Sequence, residues 1–145
     1  MKDILNIIDN LPESISALSN KNRIIWSLSM WIFTFISTVI MLDFNNYYDW
    51  MILLICGFLT FTGALPLIQN DQNILHNIFG ILACVLSQIW CSLVANVNIT
   101  ILLFITYLIL LPIFYKKWCF VIELLCLINM VIQVYIPWII IMFFI

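Results

Sequence analysis

From residue 24 to the C-terminus the apolar sequence is interrupted only at 43–49, 69–73, 96–98 and 116–117, and this spacing constrains the fold more than any motif does. Crossing a bilayer core takes roughly 20 apolar helical residues. The runs between the breaks, 24–42, 50–68, 74–95, 99–115 and 118 onward, approach or exceed that length. In lipid no water is available to bond backbone N–H and C=O groups, so such runs must satisfy those groups internally, as helices. Breaks this short make consecutive helices antiparallel. The expected fold is an all-α integral membrane protein, a compact bundle of five transmembrane helices.

Composition agrees. The chain is 66% hydrophobic and 8% charged, against about a quarter charged in soluble domains. Breaks this short leave no room for a soluble domain of ~50 residues, so the expected organisation is an N-terminal segment, 1–23, and one membrane domain, 24–145. The few basic residues form no face that could neutralise phosphates, which argues against nucleic acid as a partner. The first apolar run, at 24–42, is longer than a signal-peptide core of about 7 to 15 residues, and Asp43 follows it where a small-residue cleavage site would be needed. That helix is expected to be retained.

Counting lysine and arginine by side gives the direction. With five crossings, Lys2, Lys21, Arg23, Lys116 and Lys117 all fall on one side. The positive-inside rule makes that side cytoplasmic, with the N-terminus inside and the C-terminus outside. In the first segment Ile4, Leu5, Ile8 and Leu11 follow a helical spacing, which predicts a short amphipathic helix lying on the membrane. Its polar side sets Asp3, Asp9 and Glu13 against Lys2, unlike the basic face that anionic lipid attracts. Docking on the bundle or on a protein partner fits that charge better, and a frayed terminus is the other reading.

The last run is too long for its task. From Trp118 onward it would extend about 42 Å as a helix, against a core of ~30 Å. Either the span is 118–136, ending near Pro137, or it is 124–145, beginning after Glu123.

Within the spans, 74–95 has polar and small residues on one helical face. His76, Asn77, Gly80, Ala83, Cys84, Ser87, Gln88 and Cys91 fall in an arc of roughly 140° at 100° per residue. Ile78, Phe79, Leu82, Leu86, Ile89, Trp90 and Leu93 lie opposite. This is the pattern of a helix that packs inward by its small side and meets lipid with its bulky one, here with helices one and five as its expected neighbours. Counted inward from the cytoplasmic side at ~1.5 Å per residue, Gln88 and Gln133 lie about 21 to 23 Å deep, and Asn129, Thr34 and Ser37 about 15 to 20 Å. Unpaired amides are costly in lipid, so these side chains should bond between helices. Their readings are interhelical attachment or a polar path for a small solute.

His76 and Glu123 both sit near the cytoplasmic boundary, where a carboxylate beside an imidazole would make an acid–base pair. The alternative is an interfacial histidine, with Glu123 paired to Lys116 or Lys117. The five cysteines include no CxxC motif. Cys84 with Cys91, and Cys119 with Cys126, are seven residues apart, about 10 Å along one helix face. That is too far to share a zinc ion bound at ~2.3 Å. No metal site and no cofactor is expected. The end of the second span, Thr60, Thr62, Gly63, Ala64 and Pro66, is small and breakable, which suits close packing on helix three or local unwinding. Asn98-Ile99-Thr100 matches a glycosylation sequon but lies at the membrane edge, where modification is not expected.

The function these features suggest is that of a non-enzymatic subunit or accessory partner of a membrane complex, or a homo-oligomer, with the bilayer, other membrane subunits or itself as partners. A bacterial inner membrane, or a eukaryotic plasma or endomembrane, would suit it. Two alternatives carry specific residues: a small transporter or channel with a polar path between helices 1, 3 and 5, and a membrane enzyme using His76 and Glu123.

Overall fold

The computed structural model describes residues 22–44, 46–68 and 74–144; the expected amphipathic segment and the 69–73 break lie outside them, except for Asn22 and Arg23. Helix α1 is Arg23–Asp43, α2 is Asp49–Ile68, α3 is Ile74–Val94 and α4 is Val97–Leu110. A 3-10 turn, Tyr115–Lys117, leads into α5, Trp118–Met130, which continues through a π turn, Val131–Tyr135, into α6, Ile136–Phe144. No strand occurs among the described residues. Four helical segments are long and apolar enough to cross a membrane: Arg23–Asp43, Asp49–Ile68, Ile74–Val94 and Trp118–Phe143.

Local chemistry sets the boundaries. Asn22 caps α1, its side chain accepting from the Ile25 N–H at 3.1 Å, and Asn96 caps α4, accepting from the Asn98 N–H at 2.9 Å. Such caps occupy N–H groups that have no partner in the first turn. The fourth helix stops at Leu110 and does not reach 115 as its apolar sequence suggests. Pro112 has no N–H to offer the Leu108 carbonyl, and the chain tightens there, with the Ile113 N–H on Leu110 O at 3.0 Å. At 14 residues, about 21 Å, α4 is shorter than a bilayer core.

The last helical segment is continuous through α5, the π turn and α6, so it runs through the stretches of both expected registers. Pro137 would leave the Gln133 carbonyl without its usual donor and crowd it. The wider turn absorbs that defect, with the Ile136 N–H reaching back five residues to Val131 O.

Side-chain contacts give relative direction. Between α1 and α2, Ser27 meets Gly63, Trp31 meets Thr60 and Thr38 meets Cys56, so the two are antiparallel. Between α3 and the last helix the numbering rises on both sides: Gln88 with Asn129, Cys91 with Met130, and Asn96, just past α3, with Gln133. These two run the same way, so α4 and the turn after it carry the chain back along the bundle. Ser37 with Tyr135 and Asp43 with Trp138 give α1 the same direction. Trp138 Nε1 donates to Asp43 Oδ2 at 2.8 Å, which sets the end of α1 level with Trp138, and the rest of α6 extends beyond it.

The apolar core joins Ile40 and Met41 of α1, Met51, Ile52 and Ile55 of α2, Trp90 of α3, and Met130 and Val134 of the last helix. Trp90 is fully buried and edge-on to Phe44, with ring centroids 6.0 Å apart. Its place corrects the expectation that it lies on the lipid face of α3. Helix α3 packs chiefly on α2 and the last helix; of its expected neighbours, helices one and five, the fifth is met and α2 stands where the first was expected. Around the outside, Phe35 is 70% exposed and Leu53 66%, within an apolar surface typical of lipid contact. Helix α4 contributes no buried residue.

Gly63 is where α1 and α2 come closest. A Cβ there would stand 2.9 Å from Met30 Cβ and 3.2 Å from the Trp31 ring. Ser27 Oγ donates to the Gly63 carbonyl at 2.5 Å, and Trp31 Nε1 to the Thr60 carbonyl at 3.3 Å. The small residues at this end of α2 therefore serve contact with α1, while Thr62 faces Gly80 of α3.

Candidate functional site

Three neutral amides meet where α3, α4 and the last helix converge. Asn129 Nδ2 donates to Gln88 Oε1 at 2.6 Å and to Thr100 Oγ1 at 3.1 Å. Gln133 Nε2 donates to Asn129 Oδ1 at 2.5 Å and to Thr100 Oγ1 at 2.9 Å. Gln88 Nε2 donates to Ser87 Oγ at 3.2 Å and to the Cys126 carbonyl at 3.4 Å, and the Asn96 N–H donates to Gln133 Oε1 at 2.7 Å. Each amide nitrogen thus makes two bonds, matching its two N–H groups, and each amide oxygen accepts one. Asn129 is fully buried and Gln133 nearly so. The lone-pair and N–H capacity that would be costly in lipid is spent inside the cluster.

Helical spacing builds half of this site. Asn129 and Gln133 are four residues apart and so share a face. The π turn holds Gln133 beside the start of α4, where the Asn96 N–H, one of the orphan donors of a helix beginning, is available. Thr100 lies one turn into α4 from its Asn96 cap and accepts from two side chains of the last helix. In the sequence Thr100 stands out only as part of the sequon; its place one turn after a capping asparagine is the signal that could have found it.

The polar residues of α1 belong to a different arrangement. Thr34, Ser37 and Thr38 each donate to the carbonyl four residues back, at 2.7, 2.7 and 2.8 Å. Thr38 Oγ1 also contacts Cys56 Sγ at 2.8 Å. Ser37 alone of the three bonds to the last helix, sharing a hydrogen bond with the Tyr135 hydroxyl. Depth in the bundle puts Thr34 and Ser37 near the amides, but their rotation about α1 keeps them out of that cluster.

His76 is buried on the α2 side of α3, hydrogen-bonded to the backbone of Thr62. Pro66 explains that partner. Lacking an N–H, it cannot supply the donor that Thr62 O would receive from a residue four positions later, and the imidazole stands there. Its Nδ1 is buried without a hydrogen-bond partner. Glu123 is on α5, where it is half-buried. His76 thus bonds across the α2–α3 seam, and Glu123 belongs to the last helix.

Comparison with models of known protein families, with curated proteins and with solved structures returns no match. The functional reading rests on the chain's own geometry.

Proposed function

We propose that this is a five-crossing membrane protein, N-terminus cytoplasmic and C-terminus outside, which works through helix packing as a non-enzymatic subunit or accessory partner of a membrane complex, or as a homo-oligomer. The observation that carries the reading is the closed amide cluster. Gln88, Asn129 and Gln133 spend their donors on one another, on Thr100, on Ser87 and on the Cys126 backbone. Neutral groups bonded in this way hold helices together.

Five crossings are supported by the shared direction of α3 and the last helix. If both traverse the membrane in one direction, the stretch from Val97 to Lys117 must return across it, with the turn after α4 supplying the length the helix lacks. Lys116 and Lys117 then lie on the same side as Arg23, as the positive-inside rule requires. Helix α4, with exposed Leu102, Phe104 and Ile109 and no buried residue, presents a lateral apolar face to lipid or to a neighbouring subunit.

The test is mild-detergent purification from the native membrane combined with flux in proteoliposomes. A stoichiometric membrane partner or a defined homo-oligomer, without solute or proton flux, is the expected outcome. Flux that is abolished by Gln88→Leu or Gln133→Leu in folded protein would overturn the reading in favour of transport.

A further inference from the structure

The turn between α4 and α5 sets charge between two exposed aromatic rings. Tyr115 is 65% exposed and Trp118 48%, and Lys116 and Lys117 lie between them in the sequence. The Lys117 N–H on Phe114 O at 2.7 Å helps to close the 3-10 turn that carries them. Lys117 is half-buried, and its side chain does not cap α5. Among the described residues its ammonium has no hydrogen bond or ion pair. Glu123, the next acidic residue in the chain, comes six positions later, roughly 120° around a helix at 100° per residue. A half-buried lysine of this kind lays its carbon stem along apolar surface and holds its ammonium at the membrane boundary. Exposed Tyr and Trp rings settle at the same headgroup level.

We propose that the turn at Tyr115, Lys116, Lys117 and Trp118 binds the headgroup of an anionic phospholipid. Charge decides the occupant. An ammonium with no carboxylate partner takes an anion from its surroundings, and at the edge of a bilayer that anion is a headgroup phosphate. A zwitterionic headgroup brings a cation of its own beside the phosphate, whereas a phosphatidylglycerol headgroup brings none, so the lysines favour the anionic lipid. The site lies on the bundle and not on the N-terminal segment, whose Asp3, Asp9 and Glu13 would repel such a headgroup. The inference rests on this turn lying at a membrane surface; it is independent of whether the chain works with a partner subunit or with copies of itself.

The experiment gives the full chain, in vesicles of phosphatidylcholine containing phosphatidylglycerol, a phosphatidylglycerol analogue with a photoreactive group in its headgroup, and maps the labelled residues by mass spectrometry. Native mass spectrometry from mild detergent then compares retention of phosphatidylglycerol with that of phosphatidylcholine of the same acyl chains. The expected result is labelling concentrated at 113–118, with the anionic lipid retained in preference and the preference weakening as salt is raised. Lys117→Gln lowers that preference about fivefold and Lys116→Gln with Lys117→Gln lowers it further, at about 1 kcal/mol for each lysine near an anionic surface. Lys117→Arg keeps it. Labelling spread evenly over the lipid-facing helices, equal retention of the two lipids, or an unchanged preference in the folded double variant would overturn the proposal. Displacement of the lipid by inorganic phosphate, beyond that by chloride at the same ionic strength, would overturn it in favour of a site for a free anion. Labelling and lipid competition are read on the unaltered chain, so they decide the matter even if a variant fails to fold.

Discussion

Asn129 on α5 donates to the Gln88 side-chain oxygen on α3 at 2.6 Å, and this bond joins two helices that run in the same direction. Antiparallel neighbours are brought together by a short connection. Helices that run alike need a returning segment between them, here α4, and depend more on specific side-chain bonds.

Asn129→Leu should therefore be among the more damaging polar-to-apolar changes in the bundle. It removes the donor to Gln88 and Thr100 and the acceptor for Gln133. A loss of about 1–2 kcal/mol is expected from the interhelical bonds, read as reduced stability in a detergent or steric-trap unfolding assay. A double-mutant cycle with Gln88→Leu should return a coupling of ~0.6 to 1.7 kcal/mol. Zero coupling would mean that the two amides do not hold each other.

The glycines of α2 give a paired prediction. Gly63→Ala forces a Cβ to within 2.9 Å of Met30 Cβ, and overpacking of this kind costs about 1–3 kcal/mol. Gly57→Ala meets nothing within 4 Å and should be neutral or stabilising by up to ~1 kcal/mol, through helix propensity. Thermal unfolding of both variants in one detergent makes the comparison, and equal effects would refute the close approach of α1 and α2.

Pro137→Ala restores an N–H that can reach the Gln133 carbonyl and removes the clash that the π turn absorbs. The turn should revert toward regular helix, rotating the residues after Gln133 and weakening the bonds of Tyr135 to Ser37 and of Trp138 to Asp43. Hydrogen exchange should show slower exchange at residues 131–137 and faster exchange at the C-terminal end of α1. Unchanged protection in both regions would contradict this origin of the turn.

Much of the fold is legible in the residues, and the remainder is hidden for identifiable reasons. Apolar run length places α1, α2 and α3 to within a residue or so at either end, because lipid leaves the backbone no choice but helix. Depth counting sets Gln88, Asn129 and Gln133 close together, since rise per residue is nearly constant. Rotation is harder to read. Size alone assigns Trp90 to lipid, yet it fills the core against Phe44, because a bulky residue suits a gap between helices as well as it suits lipid. Depth alone puts Thr34 near the amides, but it bonds to its own helix. Thr100 is concealed by belonging to α4, whose sequence is otherwise almost uniformly apolar. The π turn follows from Pro137, but proline in an apolar run signals an end, a kink or a wide turn equally well.

The proposed five crossings agree with the shared direction of α3 and the last helix, and topology reporters fused to the two ends test them most directly. The account predicts that an N-terminal reporter reads cytoplasmic and a C-terminal one reads outside. Both ends on the same side would contradict it.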